Sequence, residues 1–384
     1  MAMHVCFVTG TRADYGLLQP VIEATHRDPF FRTSIVASCM HLSPEFGMTV
    51  QEIEADGYTV DARVDMLLSG DSRIAVAKSM GIGVLGFADA FDRLKPDLIV
   101  LLGDRFEALA AAETALICGI PVAHVSGGDV TYGAFDDSIR HAITKMAHLH
   151  FVASEDAAAR VRQLGEADDS VFAYGDPGLD RMMTMQRMGR DELAENLGIV
   201  FRKHMLLFTF HPVTVDAMPS RDQLDVVLGA LDDLGDDYGI VITMPNADPE
   251  GRELANRLRD YTSSRENVAC FASLGSKRYI SLMAESDAVV GNSSSGLLEA
   301  PSFGKPTVNI GERQAGRLRA ASVIDCPVDR TAIATAIRGA VGRDFKGVDN
   351  PYGDGHTAEK IIAELKRIDD PRRLLKKIFV DRGR

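Results

Sequence analysis

Residues 97–148 read DLIVLLGDRFEALAAAETALICGIPVAHVSGGDVTYGAFDDSIRHAITKMAH, and this stretch decides the fold. An apolar run, Leu98 to Leu102, breaks at Gly103-Asp104, and an alanine-rich segment with helical character follows to Cys118. Gly119 ends that helix, and Pro121 to Val125 reads as the next buried strand. Strand, helix and strand in so short a span form a crossover unit, and such units build parallel sheets. Ligands of open parallel sheets sit beyond the carboxyl ends of the strands, which here carry Asp104 and the turn Ser126-Gly127-Gly128-Asp129. The same stretch continues into Phe135-Asp136-Asp137-Ser138, the acidic opening of a helix whose apolar face is Ile139, Ala142, Ile143 and Met146. Helix capping accounts for one of Asp136 and Asp137. It does not account for Asp104, Glu107 and Asp129 arriving in the same unit, which favours an acid/base site.

Outward from this unit, the pattern repeats. His4 to Thr9 is an apolar run ending in Gly10-Thr11-Arg12-Ala13-Asp14, followed by helical periodicity from Tyr15 to Thr25. That turn and helix start suit a phosphate, although the three-glycine dinucleotide pattern and the Gly-Lys-Ser/Thr of a phosphate-cradling loop are both missing. A strand at Thr33 to Ser38 and a long helix from Ile74 to Leu94 complete the approach to the central unit. Tyr174 to Gly178 is turn-rich and marks the end of a first domain. Strands at Met205 to Phe210, Gly239 to Met244, Val268 to Phe271, Ala288 to Val290 and Thr307 to Ile310 alternate with helices in the second half. The expected architecture is α/β, with two Rossmann-like parallel-sheet domains facing a cleft. The expected division is 1–178, a connector 179–204, a nucleotide-binding domain 205–350 and a helical tail 351–384, with helices at Ala358 to Ile368 and Leu374 to Val380.

With 384 residues and 46% hydrophobic content, each domain has enough apolar material for its own core. The formal charge of −13, with no long basic stripe, argues against nucleic acid or an anionic membrane as partner. Five dispersed cysteines lack the spacing of a zinc or redox motif and read as reduced thiols of a cytoplasmic protein. The N-terminal MAMHVCFVTG lacks the basic and apolar regions of a signal peptide, and no stretch is expected to reach membrane-spanning length. His148 and His150 straddle a helix-strand junction without a third ligand, so no metal site is expected.

In the second half, His211 stands where a strand ends and Pro212 prevents its continuation. The Asn292-to-Gly296 turn offers hydroxyls and N–H groups ahead of the helical stretch Leu297 to Ser302, which contains Glu299. Serine capping is the ordinary alternative there. Pro245 to Asp248 and Gly311 to Arg313 are further polar turns at strand ends, and together these turns fit a nucleotide.

GTRADYG at 10–16, LLGDRFE at 101–107, HVSGGDVTYGAFDDSIRHAITK at 124–145, FHP at 210–212, PNAD at 245–248 and GNSSSGLLEAPSFGKPTVNIGERQAGR at 291–317 form a set. In these motifs, which span nearly its whole length, the chain resembles the hydrolysing UDP-N-acetylglucosamine 2-epimerases of sialic acid and legionaminic acid pathways. The resemblance implies a fold like that of the glycosyltransferase B class, no cofactor, a nucleotide-sugar substrate and a homodimer or homotetramer. It implies removal of the C2 proton as the nucleoside diphosphate leaves C1, then addition of water to the 2-acetamidoglycal with inversion at C2. Under it, Asp104 and Asp136 do acid/base work and His211 lies near the diphosphate. Ser293 and Ser294 hold phosphate oxygens, Glu299 the ribose, and Asn246 and Arg313 other parts of the ligand. Arg12 and Asp14 close over the ligand, with Arg105 and Arg140 as further contacts. Well-known members have glutamate where this chain has Ser126, and a serine is no base without an activating partner. Either Asp129 or Glu107 takes that role, or the substrate and its orientation differ, or activity is reduced. A non-hydrolysing epimerase, a glycosyltransferase of the same fold and a nucleotide-sugar sensor are the alternatives.

Overall fold

Branched apolar runs capped by glycine turns form buried parallel strands because helices cover both faces of each sheet. The computed structural model describes residues 2–69, 72–130, 135–213, 218–245 and 251–382. It comprises two units, Met1–Arg181 with Gly353–Arg384, and Met182–Tyr352. Both are parallel α/β sheets, as the sequence implies.

In the first unit, β1 (Met3–Thr9), β2 (Phe31–Ser38), β3 (Ala62–Val64), β4 (Leu98–Leu102), β5 (Val122–Val125), β6 (Leu149–Val152) and β7 (Val171–Ala173) lie in the order β3-β2-β1-β4-β5-β6-β7. β4 pairs with β1 through Val5 and Leu98 and with β5 through Ile99 and Val122. The order reverses between β1 and β4, so the crevice for a ligand lies past Thr9 and Leu102. The helix Phe106–Ile117 buries Ala108, Ala110, Ala111, Ala112 and Ala115, and these small side chains let it pack closely on the helix Arg73–Leu94. Gly83 of that second helix comes so near Ala110 and Met66 that a Cβ would lie 2.7 Å from the Met66 methyl. Arg73–Leu94 corrects one expectation: at 22 residues it is long and apolar enough, by length and composition, to cross a membrane. Its apolar residues are spread around the helix, and among them Phe87, Ala90 and Phe91 join the core.

The C-terminal stretch belongs to this first unit. Asp180 accepts from the Thr357 and Ala358 N–H groups at 3.0 and 2.6 Å, which satisfies the start of the helix Thr357–Leu365. Ala358, Ile361, Ile362 and Leu365 then share a core with Leu18 and Ile22. The helix expected at Leu374–Val380 is instead a short 3₁₀ turn, Pro371–Leu375, followed by chain without regular secondary structure. Tertiary bonds override helical propensity there: the Val380 N–H donates to the Gly165 carbonyl at 2.9 Å, and Lys377 Nζ donates to the Lys145 and Ala147 carbonyls. Lys377 thereby covers the carbonyl end of the helix Phe135–Met146.

In the second unit, β8 (His204–Thr209), β9 (Tyr238–Thr243), β10 (Val268–Phe271), β11 (Ala288–Gly291), β12 (Thr307–Ile310) and β13 (Val323–Cys326) take the order β10-β9-β8-β11-β12-β13. The reversal falls between β8 and β11, whose Thr209 and Gly291 are in register. The helix Arg190–Leu197, read from sequence as part of a connector, contributes Leu193 and Leu197 to this unit's core beside Leu282 and Met283.

Glu166 of the first unit is 1% exposed and meets Lys145 at 2.7 Å, Lys377 at 2.7 Å and the buried His150 at 3.0 Å. Burial opposes its charge, but these donors prevail and hold its carboxyl at about 2, below its ordinary 4.5. The stabilisation is therefore complete above about pH 4.5 and is lost as pH falls toward about 2, where the folded carboxylate protonates. Glu166→Ala leaves two ammonium groups without their shared carboxylate and is expected to cost about 3 kcal/mol by urea unfolding at neutral pH. The difference from wild type should shrink as the pH is lowered through that window.

Candidate functional site

β4 ends at Leu102, and Gly103 turns the chain with a φ of 74°, a conformation that glycine adopts without penalty. The turn delivers Asp104. Its geometry is fixed from β5: the Gly103 N–H donates to the Val125 carbonyl at 3.0 Å, and the Gly103 carbonyl accepts from His124 Nε2 at 2.7 Å. His124 is fully buried, and burial pushes its imidazole down to about 3, so the ring is neutral. Its Nδ1 lies 3.1 Å from the Thr144 hydroxyl on the helix Phe135–Met146. One histidine thus joins the β4 turn to the helix that carries Asp136 and Asp137.

Arg140 makes the stronger link. Its guanidinium is 8% exposed and pairs with the Asp104 carboxylate, which is 26% exposed. It also donates to the Asp129 carbonyl at 2.8 Å and to Asp137 Oδ1 at 3.4 Å. The turn after β4, the turn after β5 and the start of the following helix are therefore held by one cation. Asp136 is half-buried in that helix's first turn. Ser126 opens the β5 turn with a φ of 61°, a left-handed backbone that disfavours a side chain, and its N–H donates to the Phe151 carbonyl at 2.9 Å. At Gly128 a Cβ would lie 2.4 Å from the Ala157 carbonyl oxygen, so only glycine fits.

Past β1, the first turn of the helix Arg12–Arg27 is a capping box: Asp14 accepts from the Thr11 N–H at 3.1 Å and Thr11 Oγ1 accepts from the Asp14 N–H at 3.2 Å. Burial, with the nearby Glu107, raises the Asp14 carboxyl to about 6. Glu107 is 1% exposed, pairs with Arg105 and lies against Gly10, where a Cβ would come within 2.2 Å of its Oε1. Its Oε2 has no hydrogen-bond partner among the described residues. Arg12 points to solvent beside Glu52, at 3.3 Å.

In the second unit, the turn after β11 carries Ser293 and Ser294, both half-buried. Ser293 Oγ lies 3.2 Å from Ser295 Oγ, which in turn lies 2.5 Å from the Tyr279 hydroxyl. The helix anticipated from Leu297 to Ser302 is one turn, Ser295–Leu298, and then a 3₁₀ turn through Pro301, because proline cannot continue the helical ladder. Glu299 stands at that junction, half-buried. His211 follows β8, and its backbone is bonded to the Asn292 side chain. Arg313 Nη1 donates to the Asn292 carbonyl at 3.1 Å. Asn246 lies outside the described residues.

His124, Thr144 and Asn292 escape the sequence reading as structural members of the two strand-end clusters. A histidine amid the apolar Val122-Ala123 and Val125, and Arg140 one helical turn from Asp136 and Asp137, are the signals that point to the first cluster.

A family model described as UDP-N-acetylglucosamine 2-epimerase matches residues 23–366. The GDP/UDP-N,N'-diacetylbacillosamine 2-epimerase (hydrolyzing) of Campylobacter jejuni is 39% identical over 326 residues, 85% of this chain and 84% of that protein. The UDP-N,N'-diacetylbacillosamine 2-epimerase (hydrolyzing) of Legionella pneumophila is 37% identical over 368 residues, 96% and 97% of the two chains. Among solved structures, the UDP-GlcNAc 2-epimerase of Neisseria meningitidis bound to UDP-GlcNAc superposes with a TM-score of 0.77 at 20% identity, covering 95% of this chain and all of that one. That likeness establishes the glycosyltransferase-B-like fold.

Loss of the Arg140 guanidinium leaves Asp104 without a buried partner. Arg140→Ala is expected to cost about 2–3 kcal/mol, less than a fully buried pair because part of Asp104 remains in water. Arg140→Lys should recover only part of this, because an ammonium on a flexible stem cannot span Asp104, the Asp129 carbonyl and Asp137 at once. Urea unfolding midpoints of the two variants check both values.

Proposed function

The chain belongs to the UDP-N-acetylglucosamine 2-epimerase family, and we propose that it is a hydrolysing member whose substrate is UDP-linked or GDP-linked N,N'-diacetylbacillosamine, with UDP-N-acetylglucosamine the close relative. The similarity to two hydrolysing enzymes named for diacetylbacillosamine, over most of both chains, carries the substrate assignment.

The reaction asks for a carboxylate at C2, a second acid/base group on the other side of the ring, and donors around the leaving diphosphate. Asp104 is the group assigned to the C2 proton. Its ion pair with Arg140 and the His124 bond beneath it hold an anionic acceptor at a strand end, which supports this role. As the C2–H bond breaks, its electrons form the C1–C2 double bond and the C1–O bond departs with the nucleoside diphosphate. Water then adds: its oxygen bonds to C1 and gives up one proton to a carboxylate of the site, while a proton enters C2 from the opposite face. The released sugar is manno-configured.

Asp136 is the candidate donor of that proton. Ser126 stands where the resemblance implies a glutamate, and two carboxylates compete for that role. Asp129 is favoured over Glu107, because Arg140 anchors the Asp129 backbone in the same turn as Ser126, whereas Glu107 is buried against Gly10 and engaged with Arg105. Glu107, with Asp14, then serves the β1 turn. In the second unit, His211, Ser293, Ser294 and Arg313 are assigned to the diphosphate, Glu299 to the ribose, and Asn246 to another part of the nucleotide sugar. Arg12 is exposed and suits contact with an anionic ligand.

Phosphorus NMR of the reaction mixture tests the assignment. Wild type should release free nucleoside diphosphate from UDP-linked diacetylbacillosamine, and Asp104→Asn should lower kcat by about 100-fold or more while leaving nucleotide affinity near wild type. Full turnover in Asp104→Asn would remove it from the chemistry. Ser293→Ala with Ser294→Ala should weaken UDP about tenfold by calorimetry, and unchanged affinity would move the phosphate site elsewhere.

A further inference from the structure

The strand order of the second unit reverses between β8 and β11, and the two residues just beyond their ends are tied together through one side chain. Asn292 is fully buried. Its Oδ1 accepts the His211 N–H at 2.7 Å and its Nδ2 donates to the His211 carbonyl at 2.9 Å. The side-chain amide thus presents to His211 the donor and acceptor that a neighbouring strand would present. This matters because Pro212 has no N–H with which to continue the ladder. The Asn292 backbone completes the tie: its N–H donates to the Thr209 carbonyl at 3.1 Å, and its carbonyl accepts from Arg313 Nη1 at 3.1 Å and Gln314 Nε2 at 2.8 Å. Gly291 makes the approach possible, since a Cβ there would lie 1.9 Å from the Thr209 carbonyl oxygen.

We infer that Asn292 is the positioning residue of the nucleotide end of the site. Its side chain holds the His211 backbone at the switch point, while its carbonyl anchors Arg313, so that an imidazole and a guanidinium are set for one diphosphate. The inference rests on the reading of His211 and Arg313 as diphosphate-facing groups. Asn292 is fully buried, so it acts through the two residues that it holds. The amide offers a donor and an acceptor side by side without titrating, which an ionised carboxylate of the same shape does not.

Asn292→Ala removes both bonds and risks the fold, so Asn292→Asp is the sharper probe. A carboxylate of the same shape still accepts from the His211 N–H but sets its second oxygen against the His211 carbonyl; once protonated, it donates to that carbonyl again. Calorimetry with UDP should find Asn292→Asp weakened about tenfold at about pH 8 and close to wild type at about pH 6, since burial and the opposing carbonyl raise the carboxyl. In a His211→Ala background the same substitution should cost at most about twofold, because the group it positions is gone. Wild-type affinity at both pH values, or an undiminished cost in the His211→Ala background, overturns the inference. The ring signals of His211 in the ligand-free protein, assigned by their absence from His211→Ala, supply a readout independent of function. They should move in Asn292→Asp, and unmoved signals overturn the positioning role. If wild type fails to bind UDP, the diphosphate reading fails, and the ring signals alone decide whether Asn292 positions His211.

Discussion

One buried cation, Arg140, organises the first unit at the point where its sheet meets a ligand. A guanidinium is suited to this position because its planar fork reaches several acceptors at once. It takes a carboxylate from the turn after β4, a backbone carbonyl from the turn after β5 and a second carboxylate from its own helix. Buried cations are tolerated only when paired and bonded in this way, so the pairing makes the relative placement of these three segments a condition of folding. The neutral His124 beneath adds a second tie between the same β4 turn and the same helix. The acid/base chemistry proposed for Asp104 thus draws on an arrangement that the fold itself requires.

The second unit solves the same problem without a buried charge. Its switch point between β8 and β11 is closed by the Asn292 amide, which is uncharged and therefore cheaper to bury than an ion. The division of labour suits the proposed reaction. A carboxylate that removes a carbon-bound proton needs a fixed orientation, which the Arg140 pair supplies, whereas a diphosphate-binding surface needs hydrogen-bond donors. Hydroxyls of Ser293 and Ser294 and the Arg313 guanidinium provide such donors beside the Asn292 turn.

The alternation of apolar runs with glycine-ended helices makes both parallel sheets legible in the sequence, and the position of Asp104, Asp129 and His211 at strand ends follows from that alternation alone. What sequence leaves hidden is tertiary. Nothing local distinguishes an arginine that solvates a helix from Arg140, whose role depends on three acceptors, one of them 36 residues away. Asn292 resembles an ordinary turn residue, because its partner His211 is 81 residues distant. The expected helix at Leu374–Val380 yields to tertiary bonds with Gly165, Lys145 and Ala147, which periodicity does not encode. The placement of Glu107 is likewise tertiary: its side chain lies under Gly10 and pairs with Arg105, which its nearness in sequence to Asp104 does not reveal.

The removal of the C2 proton by a carboxylate held at the end of β4 is the centre of this account, and solvent exchange at C2 tests it most directly. In deuterated water, with UDP-linked diacetylbacillosamine as substrate, proton and phosphorus spectra should show free nucleoside diphosphate together with a manno-configured sugar carrying deuterium at C2. A released sugar that retains protium at C2, or a C2 epimer still attached to its nucleotide, would contradict it.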